Sequence, residues 1–136
     1  MKREIKFRIW NKVDKVMLLP ESQCDLILSL GGYLYSRFDK EWETMDNYVV
    51  MQYIGLEDKN GSNIYDGDII EIRHPYKDRM FSGVVSWEGY MWSCKEFYFT
   101  HFDVPSEIFS EGTEYIEIIG NIYENTELIK TFNETL

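Results

Sequence analysis

A mainly β fold is what this sequence predicts, built as a small barrel body in the C-terminal part with an N-terminal β-hairpin arm. Three observations lead there. Apolar and polar residues alternate with period two in short runs, as a strand with one buried face requires. Those runs are punctuated by clusters of turn-forming residues, such as Asp58-Lys59-Asn60-Gly61 and Asp66-Gly67-Asp68. Hydrophobic residues make up 44% and aromatics 16% of the 136-residue chain, which gives it the apolar mass for one core and sets it apart from a disordered polymer.

The elements follow in order. Ile5, Phe7 and Ile9 point one way and Lys6 and Arg8 the other, the pattern of a half-buried strand. Asn11 to Lys15 is turn chemistry, Val16 to Leu19 returns as a second strand, and Pro20 ends it. Cys24 to Leu30 fits a short helix by spacing, but Gly31-Gly32 followed by Tyr33-Leu34-Tyr35 favours a hairpin turn and a return strand. The polar run from Arg37 to Asn47 reads as a connection between the arm, residues 1–48, and the body, residues 49–136, of a single domain.

In the body, Val49 to Ile54 is a strand, and Gly61 supplies the positive φ that the Asp58–Gly61 turn needs. Asp66-Gly67-Asp68 opens a strand carrying Ile69, Ile70 and Ile72. Its aspartates suit bonding to nearby backbone amides, and Gly67 permits a conformation other residues resist. Met80 to Trp87 is the next strand, and Gly89 breaks it. Met91 and Trp92 resume it or begin a hairpin. Glu96 to Phe102 is aromatic on both faces, which predicts burial on both sides. Val104 to Gly112 is a loop or a helical turn around Pro105. Tyr115 to Tyr123 is the last strand, interrupted at Gly120-Asn121. Asn125 or Thr126 then caps a final helical turn. Five or so short strands with polar turns suggest a small barrel.

The formal net charge is -10, which opposes non-specific binding to nucleic acid or anionic lipid. The charge is uneven. Residues 1–16 hold six basic residues against Glu4 and Asp14, a surplus of four, which leaves -14 on the remainder. The basic end reads either as a charged edge strand protected from aggregation or as a hairpin that docks on an acidic neighbour. Cys24 and Cys94 are far apart and in no metal spacing, which predicts two buried thiols rather than a bridge. The N-terminus lacks the apolar core of a signal peptide, and the longest nearly uncharged run, Leu26 to Ser36, is too short to span a bilayer. The expectation is a cytoplasmic protein with no membrane association.

Three blocks then carry a resemblance. IKFRIWNKVDKVM, MQYIGLEDKNGSNIYDGDIIEI and IEIIGNIYENTEL resemble, in order and rough spacing, the signature blocks of the YopX-like family, small proteins carried by bacteriophages and prophages. Each block alone is weak; together they cover nearly the whole chain. Thr126 stands where the family often has proline, which changes how the end helix starts. The resemblance implies an SH3-like barrel for the body and implies no reaction.

The residues do not supply a reaction either. A calcium loop begun at Asp58 would need glycine at Asn63 and glutamate at Ile69. Asp66, Asp68, Glu71 and His74 bring carboxylates near a histidine, but alternation sends Asp68 and Glu71 to opposite strand faces. Neither His74 nor His101 has a nucleophile and an orienting partner in its neighbourhood, and Ser82, Ser86 and Cys94 lie in strand-like runs without a nucleophile elbow. Gly55, Gly61 and Gly67 fit no phosphate-loop template. No enzyme activity, metal or cofactor is expected, and the glycosylation sequons at Asn60 and Asn133 read as chance matches.

Aromatic content points elsewhere. Four tryptophans, ten tyrosines and eight phenylalanines exceed what a small barrel encloses, so some sit half-buried at the surface or form an interface. The leading expectation is a phage-encoded interaction module that forms a homo-oligomer and binds a host or phage protein. Phe7, Ile9 or Trp10 would make the contact, with Arg3 and Arg8 aligning it. The alternatives are a single-strand nucleic-acid binder, which a basic groove would normally accompany, and an acidic decoy that imitates DNA.

Overall fold

The computed structural model describes residues 4–36, 47–73, 80–89, 92–94, 97–98 and 115–129. They fall into two compact units, Lys6–Met51 and a larger one comprising Met1–Ile5 and Gln52–Leu136. The division lies inside one long strand, between Met51 and Gln52.

In the smaller unit, β1 (Phe7–Asn11) pairs antiparallel with β2 (Val16–Leu18), with Ile9 opposite Leu18 and Trp10 opposite Met17. The turn between them is built by Asn11. Its Oδ1 accepts the backbone N–H groups of Val13 at 3.0 Å and Asp14 at 3.1 Å, and its Nδ2 donates to Asp14 Oδ2 at 3.1 Å. Lys15 completes the turn with φ 54. The alternation is oriented differently from the sequence expectation. Arg8 and Trp10 are the buried residues of β1, Phe7 and Ile9 are half-buried, and Ile5 is 69% exposed. Trp10 offers more apolar area than any other side chain of the strand, so its parity sets the buried face. Arg8 follows it inward by two-residue spacing, with an aliphatic stem that tolerates burial.

The hairpin about Gly31-Gly32 forms: β3 (Leu26–Leu28) pairs with β4 (Leu34–Ser36) as a two-stranded sheet. Ser29 closes it, its N–H donating to Tyr33 O at 2.8 Å and its Oγ accepting the Tyr33 N–H at 3.0 Å. Leu34 is fully buried. Cys24 is exposed and Cys94 buried, which corrects the expectation of two buried thiols. Cys24 precedes β3 on a run that exposes residues 23 to 25.

β5 (Tyr48–Glu57) follows, and β6 (Asn63–Tyr65) pairs back on it in a sheet of order β2-β1-β5-β6. β7 (Asp68–Arg73), β8 (Met80–Trp87), β9 (Trp92–Cys94) and β10 (Phe97–Tyr98) form a meander, and β11 (Ile116–Asn121) returns beside β7. The order β10-β9-β8-β7-β11, with the last strand next to the first, is the SH3-like arrangement, and its sheet curls into a half-barrel. Ile54, Ile64, Ile70, Ile72, Val85, Cys94 and Ile116 form its core, with Leu56, Trp92 and Ile118 packed against it. Ile72 stands opposite Ile116 and Ile70 opposite Ile118, so the same-face residues of β7 and β11 meet in the interior.

The chain is therefore mainly β. Gly120 and Asn121, expected to interrupt the last strand, belong to it across a bulge after Ile118. Residues 126–129 form the final helical turn. The expectations for Arg37 to Asp46, for a loop from His74 to Asp78, for the two faces of Glu96 to Phe102 and for Val104 to Gly112 lie outside what is described.

Candidate functional site: an aspartate-tied turn and the groove beside it

Asp58 follows β5 and is buried at 2% exposure. Oδ1 accepts the N–H of Asn60 at 2.9 Å and of Ser62 at 3.0 Å; Oδ2 accepts the N–H of Ile118 at 3.1 Å. The backbone repeats the linkage. Lys59 N–H donates to Ile116 O at 2.8 Å, and Gly61, with φ 80, donates to Asp58 O at 3.0 Å. The outer edge of β11 is thus bonded by the turn of residues 58–62 rather than left open.

The second aspartate turn works alike. Asp68, 1% exposed, accepts the Tyr65 N–H through Oδ2 at 2.8 Å. Gly67 has φ 86 and is buried; its N–H donates to Val85 O at 2.9 Å and its carbonyl accepts from Ile122 at 3.0 Å. Asp66 donates its N–H to Gln52 O at 2.9 Å. Asn121 closes the far end of β11, its Oδ1 accepting the N–H groups of Tyr123 and Glu124.

Beside the Asp58 turn lies a groove of about 90 Å³, lined by Lys59, Glu71, Arg73, Met80, Tyr115, Ile116 and Glu117. Strand parity makes it. Glu71 and Arg73 alternate with Ile70 and Ile72 and so face away from the core. Glu117 stands directly opposite Glu71 in the ladder, and Lys59 Nζ pairs with Glu117 Oε2 at 3.0 Å. Both partners are over two-fifths exposed, so the pair adds little stability. Ser82 lies opposite Glu71 on the other side. Among the described residues no group of three His, Cys, Asp or Glu could hold a metal ion. His74 and His101 lie outside those residues.

The remaining candidates divide. Arg3 is outside the described residues. Phe7 and Ile9 keep part of their surface, whereas Arg8 and Trp10 are covered within the chain. Sequence reasoning missed the exposed apolar residues Val13, Val16, Leu19, Ile27, Leu30 and Tyr33 of the smaller unit. For Val13, Leu19, Leu30 and Tyr33 the signal was an apolar residue at a turn, where burial is rare; Val16 and Ile27 lie in β2 and β3 and carried none. On the larger unit, Trp87 is 52% exposed and stands opposite Trp92, with ring centroids 5.0 Å apart in an edge-to-face pair. No described helix is long and apolar enough to cross a membrane.

Comparison with known proteins agrees with this architecture. Protein EF1440 from Enterococcus faecalis is 25% identical, with a TM-score of 0.58 over 94% of this chain and 99% of that one. Protein yopX from Bacillus subtilis is 21% identical, with the same TM-score over 93% of this chain and 98% of that one. No curated protein matches the chain. The family model described as YopX protein matches residues 6–130, almost the whole of the three-block sequence and both structural units. On that match the chain belongs to the YopX protein family.

Proposed function

We propose that the protein is a non-enzymatic interaction module that assembles with itself, in the service of a bacteriophage or prophage within the bacterial cytoplasm. The observation that carries the reading is the apolar surface of the smaller unit. Leu30 and Tyr33 at the β3–β4 turn are wholly and 61% exposed, Ile27 is 36% exposed, and Val13, Val16 and Leu19 are exposed around the β1–β2 hairpin. A two-stranded sheet such as β3–β4 is marginal in water and gains from a packing partner. Clustered exposed apolar side chains mark interaction surfaces, and closed homo-oligomers are the commonest way to cover them.

The single-strand binding alternative has less support. A stacking surface for bases is normally flanked by cations. Exposed Trp87 is followed by Glu88, which accepts from Ser93 Oγ at 2.8 Å and adds negative charge at that end of the sheet.

Sedimentation of a Leu30→Asp variant tests the reading. The wild type is expected to sediment as an assembly that dissociates on dilution, and the variant as a monomer with unchanged unfolding behaviour. Identical sedimentation of the two would remove the β3–β4 tip from any interface.

A further inference from the structure

We infer that the tip of the β1–β2 hairpin of one copy docks into the groove beside Glu71 on a second copy. The inference rests on the self-assembly reading and names the surfaces through which it acts.

The tip presents Lys12, Val13, Lys15 and Val16, all exposed, Val13 at 69%. Its one acid, Asp14, is exposed and accepts from Asn11 Nδ2, so the tip presents two lysines and two valines against a single carboxylate. The Asn11 Oδ1 bonds to Val13 and Asp14 hold the turn in shape before any encounter, which lowers the ordering cost of docking.

The groove complements it. Glu71 and Glu117 oppose each other in the β7–β11 ladder, a like-charge arrangement that is unfavourable on its own. Lys59 pairs with Glu117; among the described residues no ion pair reaches Glu71. Arg73 lies two residues along the same face, opposite Met80 in the β7–β8 register, and among the described residues no ion pair joins it to Glu71, so the Glu71 carboxylate can take an incoming ammonium. Met80, 53% exposed, and half-buried Tyr115 give an apolar wall suited to a valine. About 90 Å³ accommodates a side chain and is several-fold below the volume of a small-molecule pocket. From Gln52 onward the chain holds six basic and sixteen acidic residues, so the cationic tip is drawn toward this unit.

Light scattering at low salt on four chains decides it: wild type, Lys12→Glu/Lys15→Glu, Glu71→Lys, and the triple reversal. Lys12 and Lys15 are exposed and Glu71 keeps part of its surface, and thermal melts check folding. The wild type is expected to assemble, the double and the single variant to fall well below its mass, and the triple reversal to regain assembly because the swapped charges attract. Variants that assemble like wild type would overturn this contact and leave self-assembly standing. A triple variant that stays monomeric would overturn the pairing of the tip with Glu71. A monomeric wild type would overturn both readings. If the wild type is monomeric and gains mass with a single-stranded oligonucleotide in a Lys12- and Lys15-dependent manner, the tip binds phosphate instead.

Discussion

Asp58 and Ile118 are sixty residues apart in the sequence, and the carboxylate of one accepts the backbone N–H of the other at 3.1 Å. The same carboxylate holds Asn60 and Ser62, so a single side chain shapes a turn and fastens the last strand to it. Replacing Asp58 with alanine leaves three backbone donors without their acceptor. The expected loss is about 3 kcal/mol, read as a lowered urea midpoint. Asp58→Asn keeps one acceptor oxygen and should lose less. Equal midpoints for Asp58→Ala and wild type would show that water replaces the carboxylate without cost.

Gly67 is the second backbone constraint. With φ 86 in a buried position, it cannot take a β-branched side chain without strain. Gly67→Val should destabilise the protein by about 1–3 kcal/mol. An unchanged thermal midpoint would mean that the turn relaxes to ordinary strand geometry.

Gly120 is constrained by a neighbour rather than by φ. A Cβ there would lie 2.6 Å from Asn125 Oδ1, the atom that accepts the Asn121 N–H at 3.1 Å. Gly120→Ala should therefore displace Asn125 and cost about 1–2 kcal/mol. In an Asn125→Ala background the same change should cost about 1 kcal/mol less, a coupling that a double-mutant cycle on urea unfolding resolves. Additive effects would place the clash elsewhere.

The two cysteines should differ in access. Cys24 is exposed and Cys94 is 1% exposed in the core of the larger unit. A thiol reagent should label one site per chain quickly under native conditions and the second only at the rate of unfolding. Two fast sites would contradict the burial of β9.

The sequence was most readable where alternation and turn residues coincide. β8 occupies Met80–Trp87 as the pattern indicates, and Ile70 and Ile72 of β7 share the core face as alternation requires. It was least readable where structure depends on distant partners. β6 is only Asn63–Tyr65, hidden among turn residues, and is defined by its pairing with β5. Asp58 reads as a local turn former, and nothing near it announces Ile118. In β1, hydropathy puts Ile5, Phe7 and Ile9 on the core side, yet the bulk of Trp10 turns the strand so that Arg8 is covered. The groove is assembled from the Asp58 turn and strands β7, β8 and β11, so no motif encodes it. Its charges read along the chain as ordinary solvated positions.

Self-assembly is the central claim, and the molar mass of the wild-type chain by light scattering at tens of micromolar tests it most directly. The account expects a mass above that of one 16.3 kDa chain at low salt. It expects a reduced but still elevated mass at high salt, because screening weakens the Lys12, Lys15 and Glu71 contacts while the apolar surface of Leu30 and Tyr33 stays buried. A mass of one chain at both salt concentrations would contradict it.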